Sequence, residues 1–277
     1  MEPRRIEEPG FPALLEFSGP DALRFLNGQV TQDVRLVRED VCLPACVTDA
    51  KGRLQFRVWL CAGNAGGFFV SGPPETAEDL ENRLTRYLIA DDVEVADLTG
   101  RYRLVHFTGV VTSAPDGVIA RRANRYGIDG TDWWIPVDQE VPMPDGIPQS
   151  PTGIPQSPDG IPQWTAEELE DFRIRQGIPL WGRELQPGML PPEAGLDATD
   201  ISYHKGCYIG QEVISRIKFA GKLNRRLVKA QGPADVPLEE VSWLDPEGRL
   251  LAEVTSVSPL VTAGKRHALG YQTRVKI

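Results

Sequence analysis

Residues 204–216, HKGCYIGQEVISR, place Cys207 directly after Gly206 and three positions before Gly210, with His204 and Lys205 alongside. A thiol acts as nucleophile or ligand in its thiolate form, which nearby cations or the amides of a helix N-terminus favour. Lys205 offers the cation, Gly206 lets another backbone approach closely, and Gly210-Gln211-Glu212 suits the opening of a helix. The following EVISRIKF fits a helix through Val213 and Ile217 and equally a strand through Val213, Ile217 and Phe219, so the amide contribution stays open. No Asp or Asn partner for His204 is evident, which speaks against a Cys–His dyad. On these residues alone a packing cysteine and a working thiol stand level. Lys205, Gln211 and Glu212 bracket the sulfur with a cation, an amide and a carboxylate, a set able to fix a planar heterocycle by its donor and acceptor edges. The plainer reading is turn and helix-start polarity.

Other candidates carry less chemistry. Cys42-x3-Cys46 has a spacing that could hold a metal, but its apolar setting, VCLPACV, reads as strand and turn packing. With no C-x-x-C pair and no dense framework, Cys42, Cys46, Cys61 and Cys207 are all expected as free thiols in a reducing compartment. His106, alone in RYRLVHF, reads as a structural histidine rather than a catalyst. The glycines of 63–67 lack a following G-K-[ST], and no G-x-G-x-x-G occurs, so no phosphate loop is expected. The net charge of −9 opposes wrapping nucleic acid with the whole surface. Yet between 204 and 229 a run of cations, from Lys205 through Arg216, Lys218, Lys222, Arg225 and Arg226 to Lys229, faces the single acid Glu212. That run is either a solvated face or a patch for a carboxylate-rich or phosphorylated ligand.

The elements that must position these groups can be read in order. FSGPDALRFLNGQVTQDV predicts a helix opened by Ser18 and Asp21, with Leu23, Leu26 and Val30 at helical spacing. VCLPACVTDAKGRLQFRVWLCAGNAGGFFVSG predicts a β-meander, turning at Lys51-Gly52 and again at 63–67. ETAEDLENRLTRYLIADD predicts a helix with Leu80, Leu84, Tyr87 and Leu88 on one face, and DVEVADL and RYRLVHF follow as strands. Thr165 and Glu168 predict a capping box, with Gly177 ending that helix. RRLVKAQ, EVSWLD, RLLAEVTSV and HALGYQTRV predict short strands of a small barrel or sandwich.

Residues 142–163 differ: a seven-residue GIPQSP unit begins at Gly146, Gly153 and Gly160, and its prolines forbid a helix. An extended spacer is expected there. The chain of 277 residues, 41% hydrophobic and 25% charged, suits a globular protein of one large or several small domains. The divisions expected are 1–141 (α+β), 142–163 (linker), 164–215 (helical and turn-rich) and 216–277 (β). No apolar run is long enough for a membrane span, and MEPRRIEEPGFP is unlike a signal peptide, so a cytoplasmic location is expected.

KGCYIGQE, residues 205–212, resembles the signature of the YgfZ-type folate-binding proteins, a family related to the T-protein (aminomethyltransferase) of the glycine cleavage system. Supporting similarities are FLNGQVTQDV (25–34), DAKGRLQFRVWL (49–60), RIRQGIPLWGRELQPGMLPPEAGL (173–196) and HALGYQTR (267–274). The resemblance implies an α+β fold in a ring of T-protein type, ending in a small β-barrel. It implies tetrahydrofolate or a derivative as cofactor, held by Gln29, Thr31, Asp33, Arg175, Tyr208, Gln211, Glu212 and Arg226. It implies a reactive or redox-sensitive thiol at Cys207, its pKa lowered by Lys205, which also helps hold the ligand's anionic end. The family is tied to iron–sulfur cluster maintenance and tRNA modification, so iron–sulfur proteins are the expected partners of a monomer with no membrane contact and no strong nucleic-acid binding. Two departures disfavour aminomethyl transfer. Gln55, Phe56 and Arg57 stand where T-proteins carry an acidic dyad, and Arg175 stands where they carry a pteridine-gripping glutamate. Without those carboxylates the reacting nitrogen loses its charge partner. A folate-dependent one-carbon transferase and a tRNA-binding accessory protein remain the rival readings.

Overall fold

A computed structural model describes residues 2–7, 10–109, 114–140, 161–221 and 223–273; the GIPQSP repeat lies almost wholly outside them. The N-terminal half runs β1 (Arg4–Glu7), β2 (Pro12–Ser18), α1 (Ala22–Gln29), β3 (Leu43–Thr48), β4 (Leu54–Ala62) and β5 (Phe68–Pro74). It continues with α2 (Ala77–Thr85), β6 (Glu94–Asp97), β7 (Tyr102–Thr108), β8 (Ile119–Ala123) and β9 (Gly130–Pro136). The remainder is α3 (Ala166–Gln176), α4 (Gln211–Ala220), β10 (Arg225–Pro233), β11 (Glu253–Thr262) and β12 (Lys265–Thr273). The strands form three antiparallel sheets, in the orders β3-β4-β5-β2-β6, β1-β7-β9-β8 and β10-β12-β11.

The five-stranded sheet is buried on both faces, because its strands carry apolar residues at consecutive positions. Leu15 and Phe17 of β2, with Val58 and Leu60 of β4, meet Phe25 and Leu26 of α1 and Leu80 and Leu84 of α2. On the opposite face Leu14, Trp59 and Phe69 meet Leu104 and Trp134 of the four-stranded sheet. The turn-rich stretch after α3 fills a third layer, where Leu185, Met189 and Leu196 pack between Leu54 and Tyr271 of β12. The expected capping box of α3 forms, Thr165 Oγ1 accepting from the Glu168 amide at 3.1 Å and Glu168 returning the bond at 2.9 Å; Gly177 closes the helix at φ +81°.

Three expectations are corrected, and one left open is settled. Ser18 does not cap α1: it is the last residue of β2, paired with Glu94, and Asp21 precedes the helix without a side-chain cap. Helix α2 stops at Thr85, so Tyr87 leaves the apolar face and is exposed. The C-terminal barrel is an open three-stranded sheet: EVSWLD contributes only bridges from Leu244 to Gln231 and Leu250, since Pro237 and Pro246 flank it and proline cannot donate to a ladder. EVISRIKF is helical, and α4 runs through the expected 215/216 boundary.

The cysteine expectation also changes. Cys42 and Cys61 form a disulfide, one step beyond the Leu43–Leu60 pair of the β3–β4 ladder. Their Cα atoms lie 4.5 Å apart, the separation of directly opposed, non-hydrogen-bonded residues in an antiparallel pair. Cys46, buried, and Cys207, exposed, stay free; with Cys42 committed, the Cys42/Cys46 metal pair is lost. Under denaturing, non-reducing conditions a thiol titration should count two reactive thiols per chain, and four would refute the bond. Cys61→Ser should lower stability by about 2–4 kcal/mol, read by chemical unfolding.

Candidate functional site

The KGCYIG loop is clasped to the first sheet by a buried cation. Lys205 Nζ donates to the carbonyls of Asn27, Val30 and Gln32 at 2.7, 2.8 and 2.6 Å. These carbonyls lie at the end of α1 and just beyond it, where the helix leaves acceptors unpaired and its dipole favours positive charge. Around this point the Ile209 amide donates to Gly28 O, Thr48 Oγ1 donates to Ile209 O at 2.6 Å, and the Ser202 amide donates to Thr31 O. Gly210 sits at φ +88°, and a Cβ there would stand 2.4 Å from Asp49 O and 2.8 Å from Gly52 Cα. Only glycine fits both the backbone angle and the close approach.

This arrangement places the expected site residues as follows. Thr31 is buried, its hydroxyl donating to Asp200 O at 2.6 Å and accepting from the Cys46 amide. Gln29 is buried and accepts from Arg83. Asp33 takes two hydrogen bonds from the Arg35 guanidinium, which holds its carboxyl below the usual range. Tyr208 is buried with Lys205 Nζ 5.3 Å from its ring centroid, and burial raises its pKa. Gln29, Thr31, Asp33, Lys205 and Tyr208 therefore gather where the loop meets α1. Gln211 and Glu212 open α4, Glu212 pairing at the surface with Arg216. Arg226 is exposed on β10, and Arg175 lies at the end of α3, 3.4 Å from Asp171. The role expected of Lys205 toward the thiol and an anionic ligand is corrected: all three of its N–H donors are engaged by main-chain carbonyls. Cys207 is exposed on the loop they anchor.

A deeper cavity opens where the three sheets meet. A cleft of about 450 Å³ is lined by Arg57, Arg125, Ile178, Thr199, Lys229 and Leu269, among others. A smaller one of about 170 Å³, walled by Trp59, Tyr126 and Trp181, adjoins it through Arg57, Arg125, Ile178 and Pro179. Cys207 lines neither. Arg57 donates to both oxygens of the fully buried Asp200, at 2.7 and 3.2 Å. Arg125 pairs with buried Asp132, which also takes a 2.7 Å hydrogen bond from His106 Nδ1. Burial alone would raise the Asp132 pKa, but the Arg125 charge and the His106 bond outweigh it and hold the pKa low. His106 is thus buried and held to Asp132 through Nδ1. The two guanidiniums flank one ring, Arg125 at 4.5 Å and Arg57 at 5.7 Å from the Trp59 centroid. Aromatic wall and cationic edge together suit a flat ring bearing an acidic extension.

The sequence reading missed Trp59, Arg125 and Lys229 as walls of two adjoining clefts, and Asp200 as the carboxylate behind Arg57. Their positions span 59 to 229 with no shared motif; the one available signal was Arg57 replacing an expected acid.

Gly210→Ala should cost about 2 kcal/mol or more through strain and overlap, read as a lowered unfolding midpoint; an unchanged midpoint would contradict the clasp. Burial pulls the Lys205 pKa down to about 7 from 10.5. The unfolded chain therefore binds more protons between these values, so the cost of burying the charge is present below pH 7 and is relieved as pH rises toward 10.5. Wild type should gain stability relative to Lys205→Met across that window, by at most about 1.4 kcal/mol per pH unit. Unfolding at pH 7 and pH 9 measures this, and a pH-independent difference would refute it.

No protein-family model matches the chain. The chain is 25% identical over 240 residues to the tRNA-modifying protein YgfZ of Sodalis glossinidius, covering 81% of this chain and 70% of that one. Against YgfZ of Escherichia coli it is 27% identical over 239 residues, 80% of this chain and 70% of the other. Against YgfZ of Escherichia fergusonii it is 28% identical over 242 residues, with the same coverage. The crystal structure of glycine cleavage system aminomethyltransferase T from Bartonella henselae superposes with a TM-score of 0.71 at 14% identity, covering 98% of this chain and 78% of that chain. Sequence and architecture agree in direction: the chain is similar to the YgfZ tRNA-modifying proteins and shares the fold of aminomethyltransferase T.

Proposed function

We propose that this protein binds tetrahydrofolate or a derivative in the cavity where its three sheets meet, and supports iron–sulfur cluster assembly or repair and, through it, tRNA modification, without aminomethyl transfer. The observation that carries the reading is the pair of guanidiniums flanking Trp59 at the junction of the two clefts. A reduced pterin is flat and has an edge of donors and acceptors, and the attached glutamate is anionic. Trp59 and Trp181 offer the aromatic surface and Lys229 offers positive charge toward the acidic end, while Arg57 and Arg125, each paired with a buried carboxylate, fix the junction of the two clefts. The combined space lies within the usual range for small-ligand pockets. The three sheets act in this reading as the ring expected from the family resemblance.

The absence of turnover follows from the residues at the expected acid positions. Arg57 carries only donors and no acceptor, and Asp200, the carboxylate beside it, is fully buried with its oxygens engaged by Arg57 and by the Thr199 hydroxyl at 2.6 Å. Such a carboxylate has no open oxygen to take a proton from a ligand. The link to tRNA modification rests on the names of the relatives, and the iron–sulfur role on the family resemblance. The protein works in this reading as a cytoplasmic monomer with iron–sulfur proteins as clients. No described helix is long and apolar enough to cross a membrane. Burial of both Cys42 and Cys61 shields their bond from thiol reductants, which need access to a sulfur.

Calorimetric titration of tetrahydrofolate into the wild-type protein should show saturable binding. Trp181→Ala should weaken it by about tenfold, the size of one lost aromatic contact. Absence of binding to the wild type would remove the folate reading, and aminomethyl transfer from the bound ligand would remove the claim of no turnover.

A further inference from the structure

The last GIPQ unit of the repeat is built into the fold. Ile161 is buried and packs with Val105 and Phe107 of β7 and Trp133 and Ile135 of β9, on the face of the four-stranded sheet turned away from the five-stranded one. The chain then passes along the outer edge of β1, where Gln163 makes a parallel bridge with Arg5. The Arg5 amide donates to Pro162 O at 2.9 Å and the Trp164 amide donates to Arg5 O at 3.0 Å. The Arg5 guanidinium donates to Gln163 Oε1 at 3.0 Å. The edge of β1 and this apolar face thus form a slot that reads four features in order: an isoleucine side chain, the next carbonyl, a glutamine side chain and the amide after it.

All four features recur in the sequence. Residues 146–149 and 153–156 repeat 160–163 letter for letter. Ser150 and Ser157 follow the two earlier glutamines, so each unit keeps the amide that Arg5 O takes; Pro151 and Pro158, which have none, come one position later. The proline inside each unit is no obstacle, since the slot uses only its carbonyl. What sets the third unit apart comes after it. Trp164 packs on Phe172 of α3 with ring centroids 5.1 Å apart, the Arg4 guanidinium lies 5.5 Å from the Trp164 ring, and Thr165 caps α3. Those ring and cap contacts do not depend on which isoleucine fills the slot. Passing the slot to an earlier unit moves seven residues from the chain before it to the chain after it, and the entropy of closing a loop changes only slowly with its length.

We infer that this slot is a docking site for the chain's own GIPQ units, with 160–163 as its resident and 153–156 and 146–149 as interchangeable occupants that enter in seven-residue steps when the resident leaves. Each spare unit is tethered beside the slot and so reaches it at high effective concentration. The exchange keeps the apolar face of Val105, Phe107, Trp133 and Ile135 covered while lengthening the tether between this sheet and α3. The inference is independent of the ligand cavity and of the folate reading.

Unfolding midpoints of the full chain test this, because an aspartate cannot fill an apolar slot. Ile161→Asp should lower the midpoint by less than about half of the drop in the Ile147→Asp/Ile154→Asp/Ile161→Asp triple variant, since an intact unit takes the slot. The Ile147→Asp/Ile154→Asp double variant should match the wild type. Equal losses in the single and triple variants, failure of both to fold included, would overturn the inference, as would a triple variant as stable as the wild type. A crosslink reads the register directly. With the exposed thiol removed by Cys207→Ser, Arg5→Cys/Gln156→Cys in the Ile161→Asp chain should form an intramolecular disulfide on mild oxidation, located by peptide mapping. Arg5→Cys/Gln163→Cys in the otherwise native chain is the reference. A bond from 5 to 163 without one from 5 to 156 would refute the exchange, and disulfide-linked dimers would give the slot to the repeat of a second copy instead.

Discussion

One buried ammonium holds the architecture at the site together. Lys205 stands 173 to 178 residues beyond the carbonyls it serves in the chain, yet its three hydrogen bonds close the end of α1 and fix where the loop of 204–210 must lie. Burying the charge is costly, and the carbonyls offset that cost because each would otherwise be an unpaired acceptor. Once Lys205 is seated, Thr48, Thr31 and Gly28 bind the rest of the stretch from 200 to 210 to the first sheet. Gly210 then lets the loop settle against the Asp49–Gly52 turn. Cys207 is exposed on a well-held backbone, presented outward rather than into the cavity between the sheets.

The second organising feature is the double burial of the five-stranded sheet. Its one face closes over α1 and α2, and its other face meets the four-stranded sheet. Arg57 on β4 therefore emerges between layers, where burial demands a counter-charge, and Asp200 supplies it from the segment that Lys205 anchors. The clasp and the cavity are in this way coupled. Arg125 repeats the pattern with Asp132 and His106. Two pre-paired guanidiniums make a rigid, weakly hydrated edge for a ligand, without presenting a free base.

Much of the fold was legible from spacing. The meander of β3, β4 and β5, the capping box at Thr165 and the stop at Gly177 all follow from alternation, cap chemistry and glycine, which act over a few residues. The failures share a different character. Ser18 has cap chemistry, but pairing with Glu94 drew it into a strand. EVISRIKF carried two periodicities, and the αL glycine before it, fitted into the Asp49–Gly52 turn, starts the helix. The barrel did not form because the strand-like EVSWLD lies between prolines and makes only bridges.

The sequence by itself determined the local elements, the family resemblance in KGCYIGQE and the absence of the expected acids at 55–57, because each is a property of neighbouring residues. Tertiary structure alone decided that Lys205 caps a distant helix instead of serving a thiol, that Cys42 bonds Cys61, and that Arg57 and Arg125 join a cleft walled by Trp59 to one lined by Lys229. Those outcomes depend on strand register and on which charges meet in a low-dielectric interior. Neither quantity is written in residue spacing, since each arises only when segments far apart in the chain are brought within a few ångströms.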